Sequence, residues 1–266
     1  MNSSTENWPA GKLQLMGEFM KPLIGIVTKT LTDFECPDDI WRELYVKDNF
    51  RDIVYRNGCT AIGILAPFQN DKFNSKGDMT VDNLTTEEKQ DYESILSKCD
   101  GIILQGGMTG DFYELYAARY AIKNNIPIIG VCAGFNTIAR ATGCNIVSGE
   151  NLKIPNINHN VYDKNYRHEV DVVKNTLLCS LFNEDKLKVS SLHTWYLEEA
   201  EALKNSRIII NATIEDKTFD NKVCKTVECY TINDTRFAMG IKWHPEYMEE
   251  EHFQKIFSAF FEACRK

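Results

Sequence analysis

The sequence predicts an α/β protein, with a mostly parallel sheet, helices on both of its faces and antiparallel strands in the C-terminal half. Three observations carry this. Short runs at residues 23–27, 61–65, 101–104 and 126–131 are apolar throughout rather than alternating, the pattern of strands buried on both faces. Segments with helical spacing separate these runs, which implies parallel strands joined by right-handed crossovers. Later runs at 208–212, 227–232 and 237–243 follow one another without an obvious long helix, as hairpins or an antiparallel edge would.

Residues 1–19 are polar, carry Pro9, Gly11 and Gly17, and show no sustained period. They are expected to be a leader or a disordered extension, with a single domain at 20–266. Met20-Lys21-Pro22 leads into the first strand at 23–27. Val46, Phe50, Ile53 and Val54 then line one face of a helix that stops near Asn57-Gly58. The strand at 61–65 comes next, then helices at 86–98 and 112–123 on either side of the strand at 101–104. Phe112, Leu115, Tyr116 and Ile122 mark the apolar face of the second of these helices. After the strand at 126–131 and the late β-rich runs, residues 249–264 close the chain as an amphipathic helix with a stripe of Phe253, Ile256, Phe257 and Phe260.

Composition narrows the function classes. The 266 residues are 43% hydrophobic and 26% charged, an ordinary balance for a globular chain. A net charge of -8 leaves no electrostatic footprint for nucleic acid. No apolar stretch approaches the length of a membrane span. The nine cysteines are odd in number, irregularly spaced and without a C-x-x-C pair, which points to free thiols in a reducing, cytoplasmic setting. Cys224 and Cys229 lack histidines at ligand spacing, so no zinc site is expected, and no G-x-x-x-x-G-K-[ST] loop is present. Neither a metal nor an organic cofactor is called for.

The chemistry concentrates at strand ends. In Gly130-Val131-Cys132-Ala133-Gly134 an apolar run ends in a thiol between small residues, the sequence form of a nucleophile elbow with sulfur in place of oxygen. Trp243-His244-Pro245-Glu246 follows another apolar run. His244 is the expected base, and Glu246, two residues on in an extended segment, is expected to face the same way and orient the imidazole. Pro245 narrows the conformations between them. The amides of Ala133 and Gly107, the latter in Leu104-Gln105-Gly106-Gly107, are the candidate oxyanion donors. Cys36, Cys59, Cys99, Cys144 and Cys179 read as small core residues. His252, His159 and His168 read as surface or hydrogen-bonded histidines.

Together the elbow and the His-Pro-Glu triplet resemble the class I glutamine amidotransferase superfamily, from about Met20 to the C-terminus. Pro22–Ile26, Asp100–Gly107 and Val189-Ser190-Ser191-Leu192-His193 are similar to the free-standing γ-glutamyl-γ-aminobutyrate hydrolases of the peptidase C26 type. The resemblance implies a flavodoxin-like fold, a Cys132–His244–Glu246 triad and a covalent γ-glutamyl thioester that water resolves to glutamate. It also implies substrate contacts near Gly106, Asn136, His193 and Trp195. Three positions depart from the pattern: Asn136 stands where glutamine is common, Ala133 where arginine is usual, and His193-Thr194-Trp195 where His-His-Gln often occurs. The expected function is hydrolysis of the γ-glutamyl amide of a small amine or amino acid conjugate, by a chain free to form a homo-oligomer. Two alternatives are a glutaminase subunit feeding ammonia to a separate synthase and a non-catalytic binding protein.

Overall fold

The structure, a computed structural model, describes residues 21–32, 42–68, 84–107, 112–155, 159 and 165–265. The expected extension at 1–19 and Cys36 lie outside these residues. The first half runs β1 (Leu23–Val27), β2 (Lys29–Thr32), β3 (Arg42–Tyr45), α1 (Asp48–Arg56), β4 (Thr60–Ile64), α2 (Thr86–Leu96), β5 (Gly101–Leu104), α3 (Phe112–Lys123), β6 (Ile128–Val131) and α4 (Ala133–Ala141). There follow β7 (Val147–Ser148), α5 (Gly149–Leu152), β8 (Arg167–Val172), α6 (Leu177–Phe182), β9 (Lys186–Ser190), β10 (Trp195–Glu198) and α7 (Glu199–Ala202). The chain closes with β11 (Ile208–Lys217), β12 (Val223–Ile232), β13 (Ala238–Ile241) and α8 (Glu250–Cys264).

The main sheet has the order β4-β1-β5-β6-β13-β12-β11-β8-β9, and β10 pairs with both β12 and the short β7. From β4 to β13 every pairing is parallel, and from β12 onward every pairing is antiparallel. The apolar runs of the first half thus form the parallel part and the late runs at 208–212 and 227–232 the antiparallel part, but the run at 237–243, expected with them, instead supplies β13, which lies parallel to β6 and joins the two parts. Alternate side chains divide between two cores. Ile24, Ile26, Ile103, Ile129, Met239 and Ile241 meet α1 and α8 through Phe50, Phe257, Phe260 and Phe261. Val27, Ile102, Leu104 and Ile128 meet α2, α3 and α4 through Tyr92, Tyr113, Ala117, Phe135 and Ile138. The stripe of α8 lies where its spacing put it.

Two readings are corrected. The run at 61–65 was expected to be buried on both faces, but β4 is the outer strand of the sheet and Ile62 is 39% exposed. Its apolar character alone could not reveal that position. The late hairpin is also longer than its apolar runs. The polar residues Glu215, Asp216 and Lys217 continue β11 in register with Val223, Cys224 and Lys225 of β12. The antiparallel pair β2–β3 was not anticipated, because each strand is only four residues long and mostly polar.

What positions the site is the common end point of three central strands. Gly130 of β6 pairs with Leu104 of β5 and Gly240 of β13, and Val131 pairs with Ile241. The segments after Leu104, Val131 and Ile241 therefore emerge together at the carboxyl edge, where open parallel sheets place their ligands. Close packing there demands glycine. A Cβ on Gly134 would sit 2.2 Å from the Leu104 carbonyl oxygen, and one on Gly130 would sit 2.4 Å from that of Gly134. Helix α4 can start against the sheet only because both side chains are absent. Among the described residues no helix is long and apolar enough to cross a membrane.

Candidate active site

Cys132 joins β6 to α4 at φ 52° and ψ -99°. A non-glycine residue held there carries strain of order 1–3 kcal/mol, which the surroundings must overcome. Its N–H donates to the Ile241 carbonyl at 2.8 Å and its own carbonyl accepts from Asn136 N at 3.3 Å, so strand and helix clamp the turn from both sides. The side chain is thrown out at the helix N-terminus, and Sγ lies 3.7 Å from the Leu192 carbonyl oxygen. The geometry is that of an elbow.

His244 is fixed by its backbone. Its N–H donates to Ser190 Oγ at 2.9 Å, and its carbonyl accepts from the same hydroxyl at 3.0 Å. Nδ1 stands 2.8 Å from Glu246 Oε1, and the Tyr247 ring stacks on the imidazole at 5.0 Å. The expected extended path between His244 and Glu246 is corrected: Pro245–Tyr247 form a 3-10 turn, with proline at its start. The carboxylate returns to the imidazole by that turn and not by strand alternation. Gly106 closes the remaining side. A Cβ there would lie 2.9 Å from His244 Cε1 and 3.3 Å from Cys132 Cβ.

The electrostatics couple all three side chains. Burial alone would push the Cys132 thiol up. His244, which also hydrogen-bonds it, and then Lys242 and Lys47 outweigh burial and hold it below its ordinary value. Burial would likewise depress His244, but the Cys132 sulfur and the Glu246 carboxylate raise it to about 10. Glu246 would be raised by burial, and His244 followed by Lys47 holds it below the usual carboxylate range. The lowered thiol and the raised imidazole both favour the thiolate–imidazolium pair, the form in which a sulfur nucleophile attacks.

Lys47 reaches Glu246 Oε1 at 3.6 Å. The buried Gln105 places it: Gln105 Oε1 accepts from Lys47 N at 2.8 Å, while Nε2 donates to the carbonyls of Val27 and Tyr45 at 3.0 and 2.9 Å. Gly107 lies over the stem of Lys29, whose ammonium forms a fully buried 2.7 Å ion pair with Glu114.

The other residues singled out in the sequence have different surroundings. Ala133 opens α4, directly after the sulfur. Asn136 turns its Oδ1 to the Lys242 ammonium. His193 enters a buried cluster with His159, His168, Glu228 and Tyr196. There it stacks on His159 at 4.9 Å and stands 3.3 Å from Glu228 Oε1. Trp195, 46% exposed, is not a core residue and faces the Arg140 guanidinium at 5.9 Å. His159 pairs with Asp216 at 2.8 Å and His168 with Glu228 at 3.3 Å, so both are hydrogen-bonded in the interior. Among the described residues no group of three His, Cys, Asp or Glu side chains is arranged to hold a metal ion. Sequence reasoning missed Ser190, Gln105, Lys47 and Lys242. Only Lys242 left a visible signal, as a cation inside the otherwise apolar run at 237–243.

Comparison with known proteins places this fold among glutamine-hydrolysing enzymes and their relatives. The family model Peptidase C26 matches residues 22–246. CTP synthase from Borreliella afzelii (strain PKo) is 25% identical over an alignment of 214 residues that covers 70% of this chain and 39% of that protein. The chain thus corresponds to well under half of that relative. Gamma-glutamyl-gamma-aminobutyrate hydrolase PuuD from Escherichia coli (strain K12) is 26% identical over an alignment of 208 residues that covers 65% of this chain and 75% of that one. Among solved structures, the glutaminase domain of Trypanosoma brucei CTPS with bound acivicin superposes with a TM-score of 0.58 at 17% identity, covering 90% of this chain and 94% of that one.

Proposed function

The chain belongs to the peptidase C26 family and has the class I glutamine amidotransferase fold, and from that premise we propose that it hydrolyses the γ-glutamyl amide bond of a small amine or amino acid conjugate. Cys132 Sγ attacks the γ-carbonyl carbon, and the amides of Ala133 and Gly107 receive the developing oxyanion. Losing one such donor typically costs about 3 kcal/mol in the transition state. His244 gives its proton to the leaving amine as the C–N bond breaks, which leaves a γ-glutamyl thioester. The neutral imidazole then takes a proton from water, hydroxide adds to the thioester, and the C–S bond breaks to release glutamate and restore the thiolate. Glu246 keeps Nδ1 protonated and the ring in place throughout.

The single observation behind this reading is the strained Cys132 held opposite an imidazole whose Nδ1 is bonded to Glu246. Mass spectrometry of a panel of γ-glutamyl amides incubated with the full chain tests it. Release of glutamate from bulky γ-glutamyl amides supports the reading, and so does its loss in Cys132→Ala. Undiminished turnover by Cys132→Ala rules it out. A second reading is favoured by the similarity to CTP synthase: a glutaminase that passes ammonia to a synthase partner. It is distinguished by hydrolysis confined to glutamine and sharply increased when such a partner is added. In either reading the substrate is a small molecule and the thiol works in a reducing, cytoplasmic setting.

A further inference from the structure

Lys242 follows β13 directly, one residue past the point where Ile241 pairs with Val131 and two residues before His244. Met239, Ile241 and Trp243 pack toward α8, so alternation sends Lys242 to the opposite face, beneath the first turn of α4. There it is fully buried. Its ammonium stands 4.2 Å from the centroid of the Phe135 ring and donates to Asn136 Oδ1. This is a costly place for a cation. It lacks solvent, it lies at the positive end of a helix dipole, and Arg140 of the same helix repels it. Methionine would fill much the same volume at no such cost, so packing does not explain a lysine here.

The anions that face it supply a reason. Cys132 lies on one side, where strand β6 turns into α4, and Glu228 of β12 on the other. We infer that Lys242 is a positioning residue of this site, its buried ammonium acting beside His244 as a second, fixed counter-charge for the Cys132 thiolate. The inference rests on the reading of Cys132 as nucleophile but not on any particular substrate. Its use lies in the proton cycle. His244 must give up its proton to the leaving amine and later take one from water, so its positive charge comes and goes. Lys242 exchanges no proton in either step. When the C–S bond breaks and its electron pair returns to Sγ, the departing sulfur meets a cation outside the relay. Lys242 suits that role at neutral pH. Burial lowers it to about 8, with Arg140 adding to burial and with Cys132 and Glu228 opposing, so it stays largely protonated. Burial would raise Glu228, but its contacts with His193 and His168 hold it below the usual carboxylate range, while burial depresses His193 itself to about 3. The charged groups facing the sulfur are thus His244, Lys242 and Lys47.

The test is the pH dependence of Cys132 alkylation by iodoacetamide, followed on the Cys132 peptide by mass spectrometry in the full chain. Wild type should show a midpoint below that of an ordinary thiol. In Lys242→Met and Lys242→Gln the midpoint should rise by about one pH unit, slowing alkylation roughly tenfold on the acid side. A merely structural role would lower stability and leave that midpoint unmoved. Folded variants with the wild-type midpoint overturn the inference. If neither variant folds, wild type decides. The Nζ resonance of Lys242 in lysine-labelled protein, identified through its contacts to the Phe135 ring, should titrate at lower pH once Cys132 carries a neutral carbamidomethyl group. An unchanged titration overturns the inference. A shifted midpoint with no γ-glutamyl amide hydrolysed would sink the proposed substrate and leave Lys242 standing. A wild-type midpoint at the ordinary thiol value would sink both.

Discussion

Two buried regions of this molecule are built from the same parts and do opposite things to them. Around His244 and around His193, an imidazole with almost no solvent exposure lies within ion-pair distance of a buried carboxylate. Yet His244 is raised to about 10 and His193 lowered to about 3. A carboxylate neighbour is therefore not what separates them. His244 stands between two anions, the Glu246 carboxylate at 2.8 Å and the Cys132 sulfur, and together they overcome burial. His193 shares Glu228 with His168, has His159 and Lys242 nearby as further positive influences, and burial wins. In this molecule the raised imidazole has an anion on each side of its ring, and the depressed one has only a share in a single carboxylate.

The largest effect should come from deleting the sulfur. Cys132→Ala should reduce kcat by at least about four orders of magnitude, since members of a relay fail nearly as a unit. Steady-state glutamate release measures this, and a loss under tenfold would move the chemistry elsewhere. Glu246→Gln should follow, lowering kcat by roughly 10²- to 10⁴-fold as the imidazole loses its orienting acceptor. By contrast His193→Gln, in the other region, should change kcat by no more than several-fold if its protein folds. Equal losses in the two variants would erase the distinction drawn between the regions.

The pH profile sharpens the same contrast. Because the thiol is depressed and His244 raised, kcat/KM should already be on its plateau below the ordinary thiol value near 8.5, decline in a shallow step near 8 as Lys242 loses its proton, and be lost as pH rises through about 10. A narrow optimum between the ordinary imidazole and thiol values would instead mean a neutral pair. Stability should change at the acid end. Glu246 is held below the carboxylate range in the folded chain, so its contribution is complete above its unfolded value and disappears as pH falls through its folded one.

Much of this was written in the sequence because it depends on local pattern. Unbroken apolar runs specify strands buried on both faces, and the glycines around Cys132 are required by two contacts that any side chain would violate. His244 and Glu246 meet within three residues, so even the wrong backbone path between them led to the right pairing. What escaped depends on position in three dimensions. The run at 61–65 looks like the others, but only the sheet order reveals that it lies at the edge. His193 finds Glu228 at a separation of 35 residues and Lys242 finds Asn136 at 106, distances over which no spacing rule operates. Lysine in an apolar run was the one cue left unused.

A smaller but discriminating effect is expected from Glu228→Gln, which leaves the proposed relay intact. It removes the charge that His168 and His193 share, and should destabilise the fold by about 3 kcal/mol, read as a lower denaturant midpoint at unchanged slope. It also removes one of the two anions facing Lys242.

Lys242→Met should act in the opposite sense on stability and is the finest test of the comparison. An ammonium with no solvent, at the positive end of α4 and repelled by Arg140, is a charge the fold would be better without. Replacing a buried charge with an apolar side chain of similar volume is often neutral or stabilising, but here Glu228 loses a positive neighbour and Asn136 Oδ1 its donor. The net change should lie between zero and about 2 kcal/mol in favour of the variant, because His168 and His193 still face Glu228 and Asn136 is itself only partly buried. Thermal melting of the two proteins at neutral pH measures it. A variant at least as stable as wild type yet slower to alkylate at Cys132 would show that the lysine is kept for the sulfur and not for the fold. A variant destabilised as much as Glu228→Gln would instead assign Lys242 to the structural histidine–carboxylate region, as the cation that region requires.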